Sequence, residues 1–237
     1  NKSEWRRFLT KILFSINLIS QMSFEGDNNC SRSDLQGEFK EGLAKIKKNG
    51  KWGFVNNKGE VIIKLNYDFV DDFSEGLAPV KQNGKYGYID KTGKVIIPIN
   101  LNSLSVGRFF EGFAFYLDSN DKFGFIDKYG KIAIPSNFKS INNGFQNGIC
   151  LVSNDDLWGA IDIKGNIIIS IQYILIEKFS EGLAVVVNEN GKYGFVDTKG
   201  KVVIPLKYNN AESFEKGKAK VSENGKSYFL NKKGKKI

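Results

Sequence analysis

Four aspartates, Asp90, Asp127, Asp162 and Asp197, are spaced by 37, 35 and 35 residues. Stacked in a column, such carboxylates would suit cation binding. Glu41, Glu75, Glu111 and Glu181 recur in a similar way, each directly before a glycine. Trp52, Tyr86, Phe123, Trp158 and Tyr193 form an aromatic series with the chemistry to stack sugars or bases. Lys232, Lys233, Lys235 and Lys236 cluster in the last six residues and offer contacts to phosphates or to an anionic partner.

Each series also has a structural reading, which is the stronger one. The aspartates open turns that end in glycine, and Asn56 and Asn231 occupy the same place, so turn geometry matters there more than charge. The glutamates before glycine read in the same way. Acid–base catalysis needs two carboxylates in unlike environments, whereas a repeat gives every copy a similar one. The aromatic series is expected to be a packing layer between repeats, because each member is followed by a glycine that admits close approach. Cys150 takes the place of Ala44, Ala78, Ala114 and Ala184 and reads as a small buried residue rather than a nucleophile.

Composition narrows the chemistry further. The chain of 237 residues contains no His, which removes His-based triads, His general bases and His metal ligands. Its two cysteines, Cys30 and Cys150, build neither a zinc site alone nor a disulfide framework. No glycine-rich phosphate loop followed by a helix and Lys-Ser/Thr is present. No cofactor or metal is therefore expected, and the protein reads as a non-enzyme. The net charge is +9, of which +6 lies between Glu215 and Ile237. A basic end on a nearly balanced body is not a polyanion-binding surface along the whole molecule.

These residues must be positioned by a repeated element. The segments GKWGFVNNKGEVII (50–63), GKYGYIDKTGKVIIP (84–98), DKFGFIDKYGKIAIP (121–135), DLWGAIDIKGNIIIS (156–170) and GKYGFVDTKGKVVIP (191–205) are copies of one unit. GKSYFLNKKGKKI (225–237) is a sixth, with Tyr228 where the others have glycine. A marker precedes each: FKEGLA, FSEGLA, FFEGFA, FQNGIC, FSEGLA and FEKGKA, beginning at residues 39, 73, 109, 145, 179 and 214. Six repeats thus occupy 37–237, with residues 1–36 as a separate N-terminal segment.

Each repeat reads as three short strands, which in the second are Leu77–Lys81, Lys85–Ile89 and Val95–Ile97. Asn83-Gly84 predicts a two-residue hairpin with positive φ at both positions. Asp90 to Gly93 predicts a capped turn, and Pro98 is expected to end the third strand. The middle strand is apolar on both faces, so a repeat must be sandwiched between neighbours.

The Lys-Trp-Gly and Lys-Tyr-Gly cores, the following Gly-Lys-Val-Ile-Ile-Pro and the preceding Phe-x-Glu-Gly-Leu-Ala resemble the WG-repeat (KWG) family of bacterial proteins. The resemblance covers about 85% of the chain, with departures at Ala160, Leu157 and Ser170 and in the sixth unit. It implies a non-catalytic interaction module whose recurring core is Trp52-Gly53, Tyr86-Gly87, Phe123-Gly124, Trp158-Gly159 and Tyr193-Gly194. The fold expected is an all-β array of three-stranded units forming an open curved solenoid rather than a closed propeller. The sixth unit stops before a third strand, and residues 22–38 hold no segment to replace it.

Residues 3–20 place Trp5, Phe8, Leu9, Ile12, Leu13 and Ile16 at helical spacing, which predicts an amphipathic helix capping the first repeat. A signal peptide within residues 1–26 is the alternative, but Lys11 and Asn17 interrupt the apolar run and no Ala-x-Ala-like site follows. The first expectation for function is a protein–protein interaction scaffold in the cytoplasm, an adaptor or an inhibitor acting by occlusion. The second is binding of nucleic acid or ribonucleoprotein through the lysine-rich end. The third is an exported or cell-surface glycan-binding module. No segment is expected to insert in a membrane, and the oligomeric state is left open.

Overall fold

The computed structural model describes residues 31–237. The expected N-terminal helix and the signal-peptide alternative therefore lie outside the described residues. Among those described, the helical structure is a single 3-10 turn, Arg32–Asp34, and the remainder is strand and turn. By internal packing the chain divides into two compact units, one reaching Ser119 and including Ile126–Lys131, the other made of Asn120–Phe125 and Ile132–Ile237.

Each repeat is one small antiparallel meander. In the first, β1 (Leu43–Lys48), β2 (Lys51–Asn56) and β3 (Val61–Tyr67) lie in that order. The second repeat adds a two-residue strand: β4 (Phe69–Val70), β5 (Leu77–Gln82), β6 (Lys85–Asp90) and β7 (Val95–Leu101). The third comprises β8 (Ser105–Val106), β9 (Phe113–Leu117), β10 (Phe123–Asp127) and β11 (Ile132–Phe138). The fourth has β12 (Ser140–Ile141), β13 (Ile149–Asn154), β14 (Leu157–Asp162) and β15 (Ile167–Tyr173). The fifth has β16 (Leu175–Ile176), β17 (Leu183–Val187), β18 (Tyr193–Asp197) and β19 (Val202–Tyr208). The sixth has β20 (Asn210–Ala211), β21 (Lys218–Glu223) and β22 (Lys226–Asn231), with the start of a further strand marked by a bridge from Leu230 to Lys236.

Turn chemistry accounts for these strand ends. Asn83 and Gly84 both sit at positive φ, 50° and 78°, as a tight hairpin requires. Oδ1 of Asp90 accepts the N–H groups of Thr92 (2.9 Å) and Lys94 (3.0 Å), closing the second turn. Pro98, however, does not end the third strand. β7 runs through it to Leu101, as β11 runs through Pro135 and β19 through Pro205. β7 is the edge of its sheet, where a missing N–H removes no ladder bond, and its pairing is already broken there by a bulge. The short leading strand of the second to sixth repeats, only two residues long, has no signature in the sequence pattern.

The bulge also explains the recurrent glycine. Tyr88 pairs with Ile97 but Tyr86 pairs with Leu101, so three residues of β7 arch over the one residue, Gly87, between the tyrosines. The same shift faces Gly53, Gly159 and Gly194. A Cβ on Gly87 would lie 2.7 Å from the Ile97 carbonyl oxygen and 2.7 Å from the Ile99 Cα, closer than real contacts allow.

Packing runs from sheet to sheet within each unit. The core between the first and second repeats joins Phe54, Ile63 and Tyr67 to Phe73, Ala78, Val80 and Ile89, with Ile99 of the bulge packed against it. Phe54 meets Phe73 at 4.7 Å between ring centroids. Tyr88 meets Phe109 at 5.0 Å, Phe125 meets Phe145 at 4.9 Å, and Phe195 meets Phe214 at 5.0 Å. These buried pairs, rather than the Trp52 series, form the inner aromatic layer.

Candidate functional site

The marker segments build ties between consecutive repeats. In each, residues such as Ser74 to Leu77 form a second tight hairpin, closed by reciprocal bonds of 3.0 and 3.2 Å between the two. Glu41, Glu75, Glu111 and Glu181 occupy its left-handed corner at φ near 50°, where glutamate is a costly choice. In Glu41, Glu75 and Glu181 the carboxylate offsets that cost by reaching the next repeat. Oε2 of Glu41 accepts the Gly76 N–H (3.1 Å), and Oε2 of Glu75 accepts the Gly112 N–H (3.0 Å) while Oε1 accepts that of Glu111 (2.5 Å). Glu181 accepts the Gly217 N–H at 3.1 Å. A lysine from the following repeat completes each tie: Lys91 on Glu41 at 3.0 Å, Lys128 on Glu75 at 3.0 Å and Lys232 on Glu181 at 2.9 Å. The Ser74 hydroxyl adds a bond to the Phe109 carbonyl, and Ser180 does the same to Phe214, both at 2.6 Å.

Electrostatics follow from this geometry. Burial alone would push the Glu75 carboxyl up. The Lys128 ammonium and the N–H groups of Gly112 and Glu111 outweigh it and hold the carboxyl below the usual range. The Lys232 ammonium, helped by the Gly217 N–H, does the same for Glu181.

The junction of repeats four and five departs from this scheme in three places. Asn147 stands where the ties have glutamate, and Thr198 stands where they have lysine. Ala160 replaces the inner-layer aromatic. Phe179 is only half-buried here, as Phe39 is in the first marker, whereas Phe73, Phe109, Phe145 and Phe214 are at most 3% exposed. A cleft opens at this junction, walled by Ile149, Leu151 and Phe179, with Asn147 and Lys178 on its polar side and no acidic residue in its lining.

The other sequence-derived residues are placed as follows. Asp127, Asp162 and Asp197 each accept two turn N–H groups at 2.9 Å, as Asp90 does. Among the described residues no group of three or more His, Cys, Asp or Glu is arranged to hold a metal ion. Trp52, Phe123, Trp158 and Tyr193 are half-buried and Tyr86 is buried, and Gly53, Gly87, Gly124, Gly159 and Gly194 are buried beside them. Trp52 and Trp158 face Tyr67 and Tyr173 at the ends of β3 and β15, and Tyr193 faces Tyr208. Cys150 is fully buried, and burial pushes its thiol up to about 12. Of the terminal lysines, Lys232 is engaged by Glu181, and Lys236 Nζ lies 4.4 Å from the Tyr228 ring centroid. Lys233 and Lys235 give their backbone N–H groups to the Asn231 side chain, each at 3.0 Å. Sequence reasoning missed the inter-repeat ties and the cleft. Their only signal was the glutamate-to-asparagine change inside the fourth marker.

The repeat described as "WG containing repeat" matches residues 37–52, 52–86, 86–122, 123–158, 158–193 and 193–226. The chain belongs to the WG-repeat family. This WG-repeat protein finds no match among curated proteins. Among solved structures, the computationally designed Ika8 protein aligns at 12% identity with TM-score 0.44, covering 86% of this chain and 72% of that one. BamB from Moraxella catarrhalis aligns at 12% identity with TM-score 0.43, covering 82% and 72%. The WD40 β-propeller domain of Doa1 aligns at 13% identity with TM-score 0.36, covering 82% and 76%. Among the described residues, no helix of this WG-repeat protein is long and apolar enough to cross a membrane.

Proposed function

We propose that this WG-repeat protein is a non-catalytic scaffold that binds another protein, as an adaptor or as an inhibitor that occludes its partner's surface. The observation that carries this reading is a recurrent exposed aliphatic. The first residue of the long last strand is Val95 (44% exposed), Ile132 (64%), Ile167 (60%) and Val202 (42%) in four successive sheets. Exposed β-branched residues kept at one position of four successive repeats are the apolar contacts a partner surface would cover. The framework behind them spends its polar groups on itself, in turns and inter-repeat ties, and this favours presentation of a surface over catalysis.

Capture of a partner by the tagged protein from its native host tests this reading. The double variant Ile132→Lys, Ile167→Lys should lose the partner while keeping the wild-type melting temperature. Recovery of no stoichiometric protein would count against the scaffold. Nucleic-acid binding through Lys232, Lys233, Lys235 and Lys236 has weaker support, because two of the four ammonium groups are engaged within the molecule. Nanomolar RNA binding at physiological salt would reverse that order. The scaffold reading includes a cytoplasmic location and an array that is open and curved rather than a closed ring. Fractionation tests the first and small-angle scattering the second, and periplasmic or surface recovery would favour the glycan-binding module instead.

A further inference from the structure

The first and sixth sheets of the WG-repeat array carry the same pair of residues in the same register. Lys45 stands opposite Phe54 across the first hairpin, and Lys220 stands opposite Phe229 across the sixth. In the first sheet one segment of the next repeat covers that pair. Lys45 Nζ lies 3.1 Å from Asp71 Oδ1 and 2.9 Å from Asp72 Oδ1, and the Phe54 ring meets that of Phe73 at 4.7 Å. Phe54 is left 1% exposed. Its counterparts Tyr88, Phe125 and Phe195 meet a marker phenylalanine of the next repeat in the same way. In the sixth sheet, by contrast, Phe229 is 40% exposed, with the Lys218 ammonium 4.7 Å from its ring centroid. Lys220 is exposed as well, its ammonium 4.0 Å from Glu212.

We propose that this face of the sixth sheet docks a partner protein by a segment in which acidic residues precede a phenylalanine. The carboxylates take Lys220 as Asp71 and Asp72 take Lys45, and the incoming ring packs on Phe229 as Phe73 packs on Phe54. Lys218 stands where Leu43, Leu77 and Leu183 are buried in other repeats, so the face carries a second cation for an acidic occupant. The +6 charge of residues 215–237 draws such a segment to this end of the chain. A surface shaped only by contact with water would account for Lys218 in place of leucine and Ser227 in place of Trp52. It would not keep a phenylalanine on the same face, and Phe229 is kept. The inference rests on the scaffold reading and adds to it the chemistry of one contact.

Amide spectra of the full-length 15N-labelled protein, titrated with acetyl-Val-Asp-Asp-Phe-Ser-amide, test the face directly; the peptide has the sequence of residues 70–74. The expected result is a saturable shift of the Lys220 and Phe229 amides, with acetyl-Val-Asn-Asn-Phe-Ser-amide binding about tenfold more weakly because it lacks the charge. Lys220→Glu should abolish the shift by repulsion, and Phe229→Ser should weaken binding about tenfold by removing the ring. Both side chains are exposed, so both variants should keep the wild-type melting temperature. Amides that stay still, respond equally to both peptides or still shift in both variants overturn the proposal. So does a single-stranded RNA oligonucleotide that moves the same amides while the acidic peptide does not. The scaffold reading is scored separately. A host partner held equally by wild type and Lys220→Glu overturns the face and leaves the scaffold standing. Peptide binding at the face without any captured protein does the reverse.

Discussion

Gly87 and its counterparts are fixed by the strand that arches over them, and this makes them the least replaceable residues in the array. In Gly87→Val or Gly53→Val the new Cβ would meet backbone, 2.7 Å from the Ile97 oxygen or 2.3 Å from that of Ile63. Backbone in a paired strand has nowhere to go, so each change is expected to cost roughly 2–4 kcal/mol. Urea denaturation measures this, and midpoints unchanged from wild type would refute the close approach. Cys150 poses the opposite case, a group with reactive chemistry and no access. Its thiol, buried and pushed up to about 12, should resist a thiol reagent at pH 8 until the protein unfolds. A Cys30→Ser protein labelled rapidly in the native state would contradict that.

At the scale of the element, the marker hairpin is both a turn and a clamp. Its glutamate accepts an unfavourable backbone conformation and in return joins two sheets. Glu75 and Glu181 hold their protons less tightly folded than unfolded, so their contribution is complete above the ordinary glutamate range near pH 4.3. It is lost as the pH falls through the lower folded values. The double variant Glu75→Gln, Glu181→Gln should therefore be less stable than wild type at pH 6 and converge with it at the acid end. Parallel stability curves down to pH 3 would show that the clamps carry no charge-dependent stabilisation. Much of this element was legible beforehand. Asn-Gly and Asp-to-Gly signals gave the turns, the period gave six repeats, and alternation gave three strands in each. What was hidden depended on how one strand or sheet meets the next. The reach of Glu41 to Gly76, the Phe54–Phe73 pair and the passage of β7 through Pro98 require knowing which edge faces which neighbour. The cleft was hidden for the same reason, since Asn147 reads as an ordinary turn residue until its counterparts are seen to act across a junction.

For the whole molecule, stability is the sum of repeats and the junctions between them, so the final junction matters as much as any other. There the bulge residue that packs backwards elsewhere, Ile99 or Leu206, is replaced by the side chain of Tyr228. The Tyr228 ring packs on the fifth-repeat core 6.5 Å from Tyr208, while its hydroxyl is bonded to Glu223 at 2.5 Å, which pushes the phenol up to about 12. Tyr228→Gly should lower the melting temperature by roughly 3–6 °C and expose the fifth-repeat core to limited proteolysis. An unchanged melting curve would mean that the ring merely rests there.

That ring also sets a rule of growth. Tyr228 stands where every other repeat leaves an empty backbone for a strand to cross. A long last strand laid over the sixth repeat, as β7 is laid over Gly87 in the second, would run into a phenol ring. Copies inserted among the second to fifth repeats meet glycine on both sides and fit at once. Duplication in such an array is expected among the glycine-bearing repeats.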